Sequence, residues 1–417
     1  MAEPQYSMGS NLSTVKIIDS ARLALLAAVR GFGLFVDACK DLLDMAMPYS
    51  ADQAVTPSVL SDWLNRYRVE PVSGVVSISD VKILNIPSVS SNCNNVVVEI
   101  EQLGEPLLPQ SLFIKLPMAS LSTRWFFSVI GSWQLESLFF KSVAHTVPLR
   151  TPITYATKSQ GSRFFLIQEN LHQDPDVQLF TNPDMLQGPS LDLVRRCLDA
   201  FARLHACHYD LSASEREAIL PMQYHPFLSP RMRLVSQTLN AMALKPCMRK
   251  LPGIIPAEVA DAYQLTQQHW DQLLEYWFSG PLSMLHGDSH LGNFFVSGNE
   301  MGMLDWQAVH WGKGVRDVQY FLIDSLPANV LAEHERDLVD FYVAKRADYG
   351  TAIDPEQTWR DYRSFSYHTL MTIVVSIGFG ALNEEHDLLM QEILNRAIAA
   401  VERVDYGGWL DNFLAVP

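Results

Sequence analysis

His286, Asp288, Asn293 and Asp305 fall within one stretch, residues 284–321 (MLHGDSHLGNFFVSGNEMGMLDWQAVHWGKGVRDVQYF), in an order that suits phosphoryl transfer. Four residues separate Asp288 from Asn293. In loops with that spacing an aspartate accepts the proton of an attacking hydroxyl and an asparagine meets a metal ion. Phe294-Phe295-Val296 reads as a short strand, Ser297-Gly298-Asn299-Glu300 as a turn, and Met301–Leu304 as the returning strand. A hairpin brings its ends together, so Asp305 should lie beside Asn293 although twelve positions separate them. One carboxylate and one amide oxygen suit Mg²⁺, a hard cation that arrives with a nucleotide's phosphates and keeps several waters. A polar hairpin without function would not explain three oxygen-bearing residues converging at one end.

HGDSHLGN at 286–293 followed by LDWQ at 304–307 resembles the signature of the aminoglycoside phosphotransferase and choline kinase-like superfamily. The continuation Arg316-Asp317-Val318-Gln319-Tyr320-Phe321-Leu322 is similar to its ecdysteroid-kinase-like branch. The resemblance implies a two-lobed, protein-kinase-like α+β fold, with a small β-rich lobe and a larger helical lobe around a nucleotide cleft. It further implies that Asp288 is the catalytic base, that Asn293 and Asp305 hold magnesium, and that His286 and Asp317 brace the loop.

The elements that must position these residues are readable upstream. Residues 72–116 read as a β-rich lobe, with candidate strands at Val75–Ile83, Asn95–Glu101 and Leu112–Leu116. Lys115 lies in the third of these. A lysine in an apolar strand is costly to bury unless paired, and its expected partner is Glu136 on a helix over Ser132–Val143. The resemblance implies the same pair, with the lysine on the nucleotide phosphates; the plain alternative is a solvated charge on an edge strand. Between the first two strands lies IPSVSSNCNN, residues 86–95, where the resemblance places a phosphate-covering loop, yet it contains no glycine. Arg163–Leu171 reads as a strand ending in polar residues. It resembles an inter-lobe hinge, making Gln168, Glu169, Asn170 and Leu171 candidates for adenine contact through their backbone groups. The expected divisions are a helical extension at 1–69, a nucleotide-binding lobe at 70–168 and a helical lobe at 169–417.

Residues 1–15 read as frayed, and Ile17–Met47 as helical with a break at Gly31 or Gly33. Leu23–Val36 is interrupted by Arg30 and reads as an amphipathic helix rather than a signal or a membrane span. Thr56-Pro57-Ser58 starts a helix over Val59–Tyr67. Helical spacing of Leu191, Val194, Leu198, Phe201 and Leu204 marks another. His205 and His208 on it read as packing residues, not a metal pair. Residues 209–258, rich in proline and methionine, read as less regular and as a candidate acceptor lining. A helix follows over Ala257–Phe278, and three more over Leu331–Tyr349, Trp359–Phe379 and Leu388–Tyr406. Tyr362, Phe365, Tyr367 and His368 form a stripe read as core.

The chain has 417 residues, long enough for two lobes. Its net charge of −15 argues against nucleic acid or anionic membrane as partner. Five cysteines without metal-type spacing read as reduced thiols in the cytoplasm. The expected function is Mg·ATP-dependent O-phosphorylation of a small-molecule alcohol, tilted toward a bulky, largely apolar one of steroid or macrolide type. The sequence does not choose between ATP and GTP, nor fix an oligomeric state. The contrasting expectation is a catalytically silent nucleotide-binding or scaffold protein, which the missing glycines at 86–95 favour.

Overall fold

The computed structural model describes residues 47–71, 73–84, 93–380 and 384–415, with helical positions scattered through 21–39. The frayed terminus at 1–15 and positions 86–92 of the expected phosphate-covering loop lie outside the described residues. A short helix, α1 (Pro57–Arg66), has Thr56 as its N-cap, accepting from the Val59 amide, and Pro57 in its first turn.

Five antiparallel strands then make one sheet. They are β1 (Ile78–Leu84), β2 (Cys93–Gln102), β3 (Ser111–Pro117), β4 (Thr154–Gln160) and β5 (Arg163–Glu169), in spatial order β1-β2-β3-β5-β4. Between β3 and β4 run helices α2 (Leu121–Ile130) and α3 (Ser132–Ser142). Both faces of the sheet are covered, which explains the continuous apolar run in β5. Phe165 and Ile167 point to the α1 side, where Trp63 stacks on Phe165 at 3.8 Å. Phe164 and Leu166 point to the opposite core, where Trp133 of α3 stacks on Phe164.

The larger lobe begins with strand β6 (Val177–Leu179) and helix α4 (Leu191–Cys207), whose N-cap is Ser190. Residues 209–258 are more regular than their prolines suggest, since Pro230–Lys250 forms one long helix, α5, with Pro246 inside it. Tertiary packing overrides the proline's loss of an N–H donor. The Lys250 ammonium bonds the carbonyls of Ile377 and Gly380, and a side chain at Gly378 would meet the Ala243 carbonyl oxygen at 2.8 Å. The methionines there do not gather in one cavity: Met232 is buried with Val129 and Val235, while Met242 and Met248 are exposed.

The expected helix over Ala257–Phe278 is two, α6 (Ala257–Gln268) and α7 (Trp270–Trp277), parted at His269. Strand β7 (Ser283–Leu285), the hairpin β8 (Phe294–Ser297) and β9 (Glu300–Met303), and β10 (His310–Gly312) follow. The hairpin has the expected register, Phe294 opposite Met303, with its return strand starting one residue early. Helices α8 (Val315–Ser325), α9 (Ala328–Asp348), α10 (Pro355–Phe379), α11 (Glu384–Arg403) and α12 (Tyr406–Ala415) complete the lobe. Tyr362, Phe365, Tyr367 and His368 of α10 are buried in the core, as their spacing predicts. The architecture is therefore α+β with a β-rich lobe and a larger helical lobe. Among the described residues no helix is long and apolar enough to cross a membrane.

If the Trp63–Phe165 stack carries the packing of α1 on the sheet, Trp63→Ala should cost about 3–5 kcal/mol. A urea titration reads this directly, and a loss under about 1 kcal/mol would mean that α1 contributes little to the lobe.

Candidate active site at the lobe junction

The loop 286–293 is held from below by Asp317, in the first turn of α8. Its carboxylate accepts from the His286 amide at 2.7 Å and the Gly287 amide at 3.1 Å. Arg316 Nη1 lies 3.1 Å from it and His205 Nε2 3.3 Å. Gly287 has φ +88, and a side chain there would strike the Ala308 carbonyl oxygen at 2.0 Å, so the turn requires glycine. Asp317 is fully buried, which opposes its charge, but the His205 bond and the Arg316 guanidinium hold it well below the usual carboxylate range. Burial pushes His205 itself downward. A neutral imidazole donates one N–H bond here, so the compensating positive charge comes from Arg316.

His286 links the two ends of the site. Its Nε2 bonds the Leu304 carbonyl at 2.7 Å, a pairing that makes Nε2 the protonated nitrogen, and Nδ1 accepts from the Asp288 amide at 3.3 Å. The Leu304 amide in turn donates to the Asn293 carbonyl at 2.8 Å, and Asn293 Nδ2 to the Asp288 carbonyl at 2.7 Å. Asp288, Asn293 and Asp305 are thus joined through short backbone bonds, as the hairpin predicts. Asn293 Oδ1 and Asp305 Oδ2 accept no hydrogen bond among the described residues. Asp305 adopts φ +54, a left-handed conformation uncommon for a residue with a side chain. One amide and one carboxylate oxygen, both available, are the hard donors a magnesium ion takes.

Lys115 of β3 is not a solvated edge charge. It is buried, and its ammonium bonds Glu136 of α3 at 2.9 and 3.1 Å and Asp305 Oδ1 at 2.9 Å. Burial alone would lower the lysine, but the carboxylates of Asp305 and Glu136 override it and raise it above its ordinary value. Burial pushes Glu136 up, against the pull of Lys115. With the ammonium within 3 Å of both carboxylates, we read the cluster as a charged lysine shared by two acids.

Gln168, Glu169, Asn170 and Leu171 lie where the lobes join, but their side chains are committed to structure. Glu169 takes Arg150 bidentately at 2.6 and 3.0 Å and the Ile153 amide at 2.7 Å. Gln168 donates to Thr154 Oγ1, Asn170 to Ser111 Oγ, and Leu171 is buried. Arg150 also bonds the hairpin, its carbonyl accepting from the Met303 amide at 3.0 Å, so one residue ties the last sheet strand to the β8–β9 hairpin.

Three residues were missed by sequence reasoning. Tyr320 sits beside Asp288, and burial followed by that carboxylate pushes its phenol well above its ordinary value. Asp324 is pushed up to about 6 by burial, its buried Oδ1 unpartnered among the described residues. Arg316 gives Nη2 to His368 Nε2 at 2.9 Å. The signal was present: 316, 320 and 324 recur one helical turn apart, beside Asp317.

A model of the ecdysteroid kinase-like family matches residues 133–351, just over half of the chain. The match includes Glu136, Asp288, Asn293, Asp305 and Asp317 and stops short of Lys115. No curated protein matches the sequence. Among solved structures, the chain is similar to a choline/ethanolamine kinase family protein from Mesorhizobium loti, at 13% identity and TM-score 0.41, over 84% of this chain and 97% of that one. A microcompartment-associated aminopropanol kinase aligns at 15% identity and TM-score 0.45, over 85% and 98%. Choline kinase from Streptococcus pneumoniae aligns at 11% and 0.44, over 79% and 94%.

Asp317→Asn should lower stability at pH 7 by about 3 kcal/mol, because it leaves the buried Arg316 without its counter-charge. Asp317 has a depressed folded-state pKa, so its stabilisation is present above its ordinary value of 3.8 and fades as pH falls below it. Urea titrations at pH 7, 5 and 3.5 should therefore show the gap between wild type and variant constant from pH 7 to 5 and starting to narrow at 3.5, because it is lost in full only as pH falls through the depressed folded-state value. A gap independent of pH would mean that the charge of Asp317 does not matter.

Proposed function

The chain belongs to the ecdysteroid kinase-like family, and from that premise we propose that it is a Mg·ATP-dependent phosphotransferase acting on a hydroxyl of a small molecule. The observation that carries the reading is the junction of Asp288, Asn293, Asp305 and Lys115 through bonds of 3.3 Å or less. In this reading the Asp288 carboxylate orients the acceptor hydroxyl and takes its proton as the oxygen attacks the γ-phosphorus; the bond from phosphorus to the β,γ-bridging oxygen breaks, and ADP leaves. Lys115, steadied by Glu136, binds the nucleotide phosphates. Asn293 Oδ1 and Asp305 would hold magnesium, which when bound neutralises charge developing on the phosphates. His286 and Asp317 keep the loop in place and touch no reacting atom. Most of the rate would come from positioning, since such transition states are loose.

The acceptor we favour is a bulky, largely apolar alcohol of steroid or macrolide type. Its support is the family itself. ATP is the donor we favour, in a cytoplasmic setting.

Asp288→Asn should depress turnover roughly 10²–10⁴-fold with little change in nucleotide affinity. An equal fall in both would remove Asp288 from the role of base. A thermal-shift titration with ATP and GTP, with and without Mg²⁺, tests the cleft. Ligand at ~100 times its Kd stabilises by about 2.7 kcal/mol. The shift should require magnesium and vanish in Asp305→Ala; no shift with either nucleotide would favour a silent scaffold.

A further inference from the structure

Beside the tip of the β8–β9 hairpin the molecule carries charge of the sign it otherwise lacks. The chain has a net charge of −15. Yet α4 sets Arg195, Arg196 and Arg203, and α9 sets Lys345, around a cavity of about 280 Å³ floored by Met301. Arg195, Asp199 and Arg203 are spaced one helical turn apart and form one stripe, with Arg196 alongside. A second cavity of the same volume adjoins, sharing Arg203 and Met301 and adding Val147, Pro148, Leu149, Arg150 and the acid Glu300, with a surface more polar than apolar.

These cations are under-used. Asp199 is the one acid lining the first cavity, and its two oxygens share the single Tyr349 hydroxyl proton, at 2.9 and 3.0 Å. It lies 3.6 Å from Arg203 Nε and 3.9 Å from Lys345, too far for good hydrogen bonds. Arg203 Nε is buried and has no hydrogen-bond partner among the described residues. The nearest acid to Arg195 is Asp192 at 3.7 Å, whose side chain is 96% exposed, a pair of little strength. Lys345 has Asp348 at the rim, at 3.0 Å. Arg196 gives one N–H to the Asn299 carbonyl at 3.3 Å, and a guanidinium has five to give.

We propose that this groove binds a small phosphate-bearing anion, a phosphate or diphosphate ester, on the guanidinium groups of Arg195, Arg196 and Arg203. Guanidinium forks match phosphate oxygens bidentately and desolvate more readily than ammonium groups. The volume lies just under the range of drug-sized pockets, which suits a ligand of that size. The groove shares no residue with the nucleotide cleft, so the inference does not depend on the kinase reading. It is linked to that cleft mechanically. Asn299 and Met301 belong to the hairpin whose two ends lead to Asn293 and Asp305, and an anion bridging α4 and α9 would clamp the hairpin between them.

Isothermal titration with inorganic tripolyphosphate, without magnesium and at fixed ionic strength, tests this. Wild type should bind it. The double variant Arg196→Glu/Arg203→Glu should bind at least ~10-fold more weakly, as expected for the loss of charge-assisted bonds. Arg196→Gln/Arg203→Gln, with an unchanged melting temperature, should show the same direction without charge reversal. Tripolyphosphate should also slow hydrogen exchange in 191–207 and 294–303. Absence of binding, binding undiminished in both double variants, or protection confined to strands 93–117 would overturn the proposal. So would a pentaglutamate peptide binding as tightly as tripolyphosphate, which would make the groove a contact for acidic protein segments.

Discussion

A buried ammonium is the constraint around which the cleft is arranged. Lys115 leaves β3 into the interior, where an unpaired charge is costly enough to change its protonation state or the local fold. Two carboxylates from distant parts of the chain prevent that. Glu136 comes from α3, 21 positions away, and Asp305 from the end of the β8–β9 hairpin, 190 positions away. The contact is therefore a tertiary cross-link between the sheet and the helical lobe. It requires that the sheet, α3 and the hairpin all be in place together.

Asp317 performs the matching task inside the larger lobe. Every residue of α8 is buried, including Arg316, Asp317, Gln319 and Asp324. Some of its polar groups have partners, since Asp317 anchors the turn at Gly287 and Gln319 accepts from Thr369, while Arg316 Nε, Gln319 Nε2 and Asp324 Oδ1 have none among the described residues. The loop carrying Asp288 thus rests on buried charge, not on surface contacts, and its geometry is inherited from the core. Arg150 and Glu169 provide the third tie, from the exit of the sheet to the hairpin. With these three ties, Asp288, Asn293 and Asp305 stand on rigid elements even though none of them lies within a strand or long helix.

The site was legible in the sequence to the extent that it is local. His286, Asp288, Asn293 and Asp305 lie within twenty residues, and the turn chemistry of Ser297–Glu300 dictates a hairpin that folds them together. The pairing of Lys115 with Glu136 followed from a single argument, that a charge among apolar neighbours needs a counter-charge. The direct bond from Lys115 to Asp305 did not follow, because nothing in either segment records how the lobes close on one another. Nor did the sequence show that the Glu169 carboxylate, at the end of a strand, is bonded to Arg150, which lies upstream and carries no motif.

The sequence by itself determined most of the element types, the apolar faces and the β8–β9 hairpin, because periodicity, capping and turn preference act over a few residues. It also determined the family resemblance, which resides in short ordered motifs. Only the tertiary structure decided what each polar side chain is bonded to, that a helix runs through Pro246, and that four basic residues of α4 and α9 surround one groove. Those outcomes depend on packing between elements far apart in the chain, where a helix can keep a proline if the helix beside it supplies enough contact, and where charges on separate helices become neighbours only after the core has formed.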